Sequence, residues 1–297
     1  MSPSSRSGVV AIVGRPNVGK STLLNHILGQ KLSITSRRPQ TTRQHLLGVL
    51  TRGRDQIVFV DTPGLQLRPG KRMNRAMNRE VETVLPGVDL VLFVVEALRW
   101  TAADENVLRL LRECDLPVLL VVNKVDRVQE RERLLPWIEE RVREFGYREV
   151  IPLCARRKRD VEHLLEALIR YLPEGPHLYP EDHLTDRSER FLAAEIVREK
   201  LMRLLGEELP YSVGVSIESF HEQGKTLHID AVIWVERPGQ KPIIIGHQGR
   251  LLKKIGTQAR RDMERLFGRK VMLHTWVKVR EDWTEDERAL KQLGFDI

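Results

Sequence analysis

Gly14-Arg-Pro-Asn-Val-Gly19-Lys20-Ser21 decides the fold of this 297-residue chain. It follows a short apolar, β-branched run, Val9–Val13, and leads into a helical pattern over Lys20–Leu28. A glycine-rich turn between a strand and a helix start turns backbone N–H groups outward, beside the positive end of the helix dipole. That is a cradle for phosphate oxygens. The pattern predicts that Lys20 reaches the β and γ phosphates of a nucleotide and that the Ser21 hydroxyl ligates Mg2+. Gly14, Asn17, Val18, Gly19 and Thr22 complete the expected phosphate-binding surface.

Outward from this loop the apolar runs Ile57–Val60, Leu90–Val95, Leu116–Val122 and Val150–Leu153 read as further strands. Helical patterns over Ala103–Arg112, Glu130–Phe145 and Val161–Tyr171 lie between or after them. Strands alternating with helices predict an α/β domain with a largely parallel sheet over residues 1–172. Residues 173–187 carry three prolines and a glycine close together and read as a linker. The pattern then changes. Asp186 and Glu189 have capping-box spacing before a helix reaching about Leu205. Strict alternation marks half-buried strands at Val213/Val215/Ile217, Leu227–Val235 and Val271–Val279, with a helix over Arg250–Phe267 between the last two. Residues 188–297 are therefore expected to form a smaller α+β domain with an acidic C-terminal tail.

The composition narrows the class. With 41% apolar and 30% charged residues the chain can build real cores. No apolar run approaches the roughly 18 residues of a membrane span. Cys114 and Cys154 are the only cysteines, forty positions apart, so a disulfide scaffold or structural zinc site is not expected and a reducing, cytoplasmic setting fits. Met1 to Gly8 is short and polar and a strand-like run follows at once, so a secretory signal is not expected. The net charge is +8, and its distribution is uneven. Gly246–Arg280 holds ten Lys/Arg against Asp262 and Glu264, which is +8 by itself, whereas Glu281–Ile297 carries six acids and two bases, −4. A concentrated basic segment suits a polyanionic partner.

Two further motifs sharpen the nucleotide. Asp61-Thr-Pro-Gly64 follows the second strand run. Its carboxylate can hold the Mg2+ shell, and the Gly64 N–H can meet a γ-phosphate and turn away when that phosphate leaves. Asn123-Lys124-Val-Asp126 ends another strand run. Asp126 can accept from guanine N1–H and its 2-amino group, donors that adenine lacks there, and an unpaired carboxylate penalises the wrong base. Asn123 and Lys124 can brace the pocket. The three motifs together predict GTP and GDP as ligands.

In this order the motifs resemble the TRAFAC class of translation-related GTPases, and most closely the Era family of bacterial ribosome-assembly GTPases. The resemblance covers nearly the whole chain. Ile34-Thr-Ser-Arg-Arg-Pro-Gln-Thr-Thr-Arg43 resembles the family's switch I and Asp61–Leu65 its switch II. Phe93–Glu96, Arg99–Thr101, Leu209–Val213 and Trp283–Gly294 are also similar to it. The resemblance implies a P-loop NTPase domain followed by a type II KH domain. It implies Thr42, rather than Thr41, as a Mg2+ ligand. It places Leu65 where Ras-like proteins carry a water-orienting glutamine, so intrinsic turnover is expected to be slow. It offers Asn17 either as a K+ ligand or as a brace for the loop. Where the family carries a Ser-Ala pair and a glycine-containing turn, this chain has Cys154-Ala155-Arg-Arg-Lys-Arg-Asp160. Ala155 N–H can still meet guanine O6, but a thiol is a weaker hydrogen-bond partner than a hydroxyl.

Gly246-His247-Gln248-Gly249 precedes the basic helix. In a small α+β setting, GxxG is the loop with which KH domains clamp about four nucleotides of a single strand. Arg250, Lys253, Lys254, Arg260 and Arg261 would add phosphate contacts. The resemblance implies the 3′ region of 16S rRNA as the RNA, the 30S subunit as the setting and a monomer as the working form. The alternative is a GTP-dependent module at a membrane surface, a signalling protein in peripheral association with the inner membrane, its basic face on anionic lipid. That needs an apolar insertion edge, which the leucines of Arg250–Phe267 are not expected to supply.

Overall fold

The computed structural model describes residues 5–36, 38, 41–65, 72–206 and 209–293. Arg37, Pro39 and Gln40 of the switch-I-like stretch, and Gly294 to Ile297 of the tail, lie outside the described residues. The chain divides into two compact units: Met1–Ser33, Thr42–Pro69 and Met77–Asp186 in the first, and Ile34–Thr41, Gly70–Ala76 and Arg187–Ile297 in the second.

The first unit is built on a six-stranded sheet of order β2-β3-β1-β4-β5-β6. Its strands are β1 (Ser7–Val13), β2 (Leu46–Arg52), β3 (Asp55–Asp61), β4 (Leu90–Glu96), β5 (Val118–Asn123) and β6 (Glu149–Leu153). All pairings are parallel except β2 with β3. Strands covered on both faces are nearly unbroken apolar runs; Ala11, Ile12, Phe59, Leu92, Phe93 and Leu120 are fully buried. The helices are α1 (Lys20–Leu28), α2 (Arg72–Val84, which begins among residues grouped with the second unit), α3 (Ala102–Arg112), α4 (Leu134–Glu144) and α5 (Lys158–Tyr171).

The central strand β1 has β3 on one side and β4 on the other, so the connections leave it in opposite directions. Such a switch point opens a crevice at the C-terminal ends of the strands. Every motif of the first unit sits on that edge. The register sets Ile12 beside Asp61, Val13 beside Phe93, Glu96 beside Asn123 and Asn123 beside Leu153.

The second unit has a three-stranded sheet, β7 (Gly214–Gln223), β8 (Thr226–Val235) and β9 (Lys270–Val279), in that order. β7 and β8 pair antiparallel, β8 and β9 parallel. The parallel pair needs a crossover, which α7 (Gln240–Ile245) and α8 (Arg250–Phe267) supply. One face of the sheet packs on α6 (Glu189–Leu204) and α8: Ala193, Val197 and Leu201 meet Leu227, Ile229, Ala231, Ile255, Ala259 and Met263 in one core. Helix α6 is capped by Ser188, whose hydroxyl accepts from Phe191 N at 3.2 Å, not by Asp186 as the spacing suggested; the helix starts at Glu189, so Asp186 lies too early to reach the first free N–H groups. Within this unit Thr35 N donates to buried Glu199 at 3.0 Å, and Lys200 bridges Glu199 to Asp262. Trp283, from the Trp283–Gly294 run, is fully buried and donates to Ser212 O at 3.0 Å, ahead of α9 (Glu287–Gln292). No helix among the described residues is long and apolar enough to cross a membrane.

Candidate functional site

The loop after β1 has the geometry its glycines permit. Gly19 has φ +112°, and a Cβ there would lie 2.3 Å from Asn123 Nδ2, so only glycine lets the loop approach the base motif this closely. Lys20 is buried, and its ammonium donates to the carbonyls of Gly14 at 2.8 Å and Arg15 at 3.1 Å. Burial lowers its pKa to about 8, against the opposing pull of Asp61. A phosphate beside it would favour the charged form.

Ser21, Thr42 and Asp61 come together. Ser21 Oγ lies 2.8 Å from Thr42 Oγ1 and donates to Asp61 Oδ2 at 2.8 Å; Ser33 Oγ donates to the same oxygen at 2.8 Å. Asp61 is fully buried, and its other oxygen, Oδ1, has no hydrogen-bond partner among the described residues. Burial raises its pKa, which Lys20 and the three hydroxyls only partly oppose. Two hydroxyls and a buried carboxylate with an unmatched oxygen form a hard-oxygen donor set that fits Mg2+. The Thr41 hydroxyl is engaged differently, with Ser36 Oγ and Arg38 O, both at 2.7 Å.

Thr62 Oγ1 donates to Ile12 O at 2.8 Å and ties the Asp61–Gly64 turn to β1. A Cβ on Gly64 would lie 2.7 Å from Pro16 N, so the glycine allows the turn to rest against the phosphate loop. Leu65 is 9% exposed and packs with Ala11, Val13 and Val81. Its side chain belongs to the core and offers nothing to water.

The base motif is braced from three sides. Asn123 Nδ2 donates to Val18 O at 2.8 Å, while its Oδ1 accepts from Lys124 N at 2.7 Å and Ala155 N at 3.0 Å. The Ala155 N–H, expected to face guanine O6, is thus bonded to Asn123 here. Lys124 is left-handed at φ +65° and reaches Asn17 O at 2.7 Å. Asn17 is itself left-handed at φ +66°. Asp126 is exposed. A hydrogen bond from the Cys154 thiol holds its carboxyl below the ordinary range, with Arg127 and Arg157 adding to the effect. Cys154 is 6% exposed, and burial pushes its thiol up.

In the second unit the expected RNA loop lies between α7 and α8. Gly246 has φ +71°, and a Cβ there would meet Leu251 Cβ at 2.7 Å; Gln248 and Gly249 are also left-handed, at φ +51° and +74°. His247, Gln248, Arg250, Lys253 and Lys254 are exposed. Arg250 reaches Gln248 Oε1 at 3.4 Å. Lys253 and Lys254 have no acidic partner among the described residues, whereas Arg260 is paired with Glu264 at 2.8 Å and Arg265 lies 3.6 Å from Asp262. Arg261 is exposed and likewise has no acidic partner among the described residues, so the free positive charge of α8 lies at Arg250, Lys253 and Lys254 beside the loop and at Arg261 further along. Ile255, Ala259 and Met263 take the apolar side of α8 into the core. Sequence reading missed α7 and its Ile243, 55% exposed just before the loop; the signal was a helix start at Gln240 with Pro242 in the first turn.

Known proteins agree with this geometry. Residues 9–124 match the family model described as 50S ribosome-binding GTPase, and residues 208–284 the KH domain model. The GTPase Era of Marinobacter nauticus is 57% identical over 99% of this chain and 96% of its own length. That of Pseudomonas aeruginosa is 55% identical over 98% and 95%. Among solved structures, Era in complex with MgGDPNP and nucleotides 1506–1542 of 16S ribosomal RNA is similar at TM-score 0.95 and 39% identity, covering 99% of this chain and all of that one. A single-residue alanine variant of Aquifex aeolicus Era bound to GDP·AlF4− is similar at TM-score 0.94 and 39% identity over 98% of this chain and all of that one. The chain is a GTPase with an N-terminal P-loop domain and a C-terminal KH domain, and it belongs to the Era family.

Proposed function

We propose that the protein is a cytoplasmic GTP-driven switch that binds the 3′ region of 16S rRNA through its Gly246–Gly249 loop and acts in assembly of the 30S subunit. The observation that carries this reading is the left-handed GxxG loop with Arg250, Lys253 and Lys254 exposed directly after it. A backbone without side chains at two positions can approach a sugar-phosphate chain closely, and the cations beside it neutralise phosphates. The similar Era structure bound to nucleotides 1506–1542 supports the choice of RNA.

In the first unit Lys20 neutralises the β and γ phosphates. Ser21, Thr42 and Asp61 would hold Mg2+, which would supply charge stabilisation for the transferred phosphoryl group. Asp126 accepts from the guanine edge, and Asn123 and Lys124 hold that loop against the phosphate loop. Gly64 senses the γ-phosphate through its N–H. No side chain at position 65 can orient water, so turnover is slow until the site is completed from elsewhere. A K+ ion beside Asn17 is one way to add the missing positive charge.

A lipid surface is the weaker partner. Membrane insertion needs an apolar edge, and the apolar side of α8 is in the core. Crosslinking the protein in cells and sequencing the attached RNA tests the proposal. Reads concentrated at the 16S 3′ end are expected; reads spread in proportion to cellular RNA abundance would overturn it.

A further inference from the structure

A cluster of charges joins the two nucleotide loops through Glu96, a residue to which the motifs give no role. Arg15, inside the phosphate loop, is 7% exposed. Its Nε donates to Asp104 Oδ2 at 2.9 Å and a terminal nitrogen donates to Glu96 Oε2 at 3.0 Å. Asp104 is fully buried and closes the capping box of α3, accepting from Thr101 N at 2.9 Å and Thr101 Oγ1 at 2.7 Å. Glu96 is the last residue of β4. The same oxygen, Oε2, also takes the Lys124 ammonium at 3.1 Å, and that ammonium reaches on to Asn17 O. Arg99 lies at 3.8 Å from it. One carboxylate oxygen thus joins a cation of the phosphate loop to a cation of the base motif.

We propose that Glu96 is a positioning residue that locks the phosphate loop and the base-reading loop into one register, so that guanine recognition depends on it. Without its charge, Arg15 and Lys124 face each other as like charges in a partly buried setting, where repulsion is weakly screened. Lys124 sits at φ +65°, a conformation that contacts must maintain for a non-glycine residue. Asp126 lies two residues further on and, among the described residues, carries no brace of its own to the phosphate loop. When the Lys124 turn relaxes, the Asp126 carboxylate leaves the line of the guanine N1–H and 2-amino donors. Asp104 serves differently: it holds Arg15 to α3 and does not touch the base motif.

The inference rests on Asp126 as the guanine acceptor, and the experiment separates the two. Affinities of the full chain for GDP and for inosine diphosphate, which lacks the 2-amino group, are measured by calorimetry for the parent, Glu96→Gln and Asp104→Asn, together with melting temperatures. Parent chain is expected to prefer GDP. Glu96→Gln is expected to weaken GDP about tenfold and to shrink the GDP-to-IDP preference several-fold, because one charge-assisted contact and its alignment are lost. Asp104→Asn is expected to weaken both nucleotides by the same factor and keep the preference. A Glu96→Gln chain that binds GDP like the parent, or that loses both nucleotides equally, would overturn the proposal, the second result marking a structural role only. A parent that holds IDP as tightly as GDP would instead remove the Asp126 reading, and the coupling with it.

Discussion

Replacing Cys154 by serine is expected to tighten guanine-nucleotide binding. The backbone around position 154 is pinned: its N–H donates to Asp160 at 2.8 Å and its carbonyl accepts from Arg157 N at 2.8 Å. The Cys154 thiol favours the charged form of the Asp126 carboxyl, which is held below the ordinary range. Hydrogen bonds to a charged acceptor contribute about 1.5–3 kcal/mol from a good donor, and a thiol is a weak one. Asp126 is exposed, so water competes for part of any gain. A serine hydroxyl, a stronger donor toward that carboxylate than a thiol, should therefore add about 1 kcal/mol to the oriented carboxylate, about fivefold in affinity. The opposing effect falls elsewhere. Exchanging a buried sulfur for a hydroxyl costs about 1 kcal/mol of folding stability, and this cost is the same with and without nucleotide. Affinity and melting temperature should move in opposite directions. Titration calorimetry with GDP on parent, Cys154→Ser and Cys154→Ala chains reads this directly, with alanine expected to weaken binding. A folded serine variant with unchanged or weaker GDP affinity would refute the reasoning.

Other outcomes follow from the same geometry. Asp126→Asn turns an acceptor into a donor and should shift preference from guanine to xanthine nucleotides in competition binding; unchanged preference would place base selection elsewhere. GTP turnover measured in K+ and Na+ buffers of equal ionic strength should be faster in K+, and the difference should vanish in Asn17→Ala; equal rates in the parent would remove the cation from the account. Neutralising Lys253 or Lys254 should weaken RNA binding evenly across sequences and lower the salt dependence by about one counterion, read from affinities at several salt concentrations.

Much of this was visible in the residues because its physics is local. A strand covered on both faces must be an apolar run, so β1, β3, β4 and β5 could be placed from Val9–Val13, Ile57–Val60, Leu90–Val95 and Leu116–Val122. Strand β2 escaped notice because it is an edge strand of mixed character, Leu46–Arg52, carrying Gly48 where α1 comes close: a Cβ there would meet Leu28 Cδ1 at 2.6 Å. Its outer edge is met by the linker, with Val49 N donating to Leu184 O at 2.9 Å, and Gln56 of the neighbouring β3 accepts from Leu178 N and Tyr179 N. The linker's prolines therefore mark a strap along the sheet as well as a change of domain. Helix α5 begins at Lys158, three residues before the apolar pattern at Val161, because apolar periodicity is blind to an exposed first turn. The Arg15–Glu96–Lys124 cluster could not be seen at all. Its members are far apart in sequence, and only the β1/β4 and β4/β5 registers bring them together.

The central claim is that the chain reads RNA through its GxxG loop while holding GTP in a separate domain. Binding of the GTP-loaded full chain to an RNA of the 16S 3′ end, compared between the parent and His247→Asp/Gln248→Asp, tests it most directly. Both residues are exposed, and the glycines that shape the turn are kept. Severe loss of RNA affinity with GTP affinity intact is expected. A double variant that binds the RNA as tightly as the parent would contradict it.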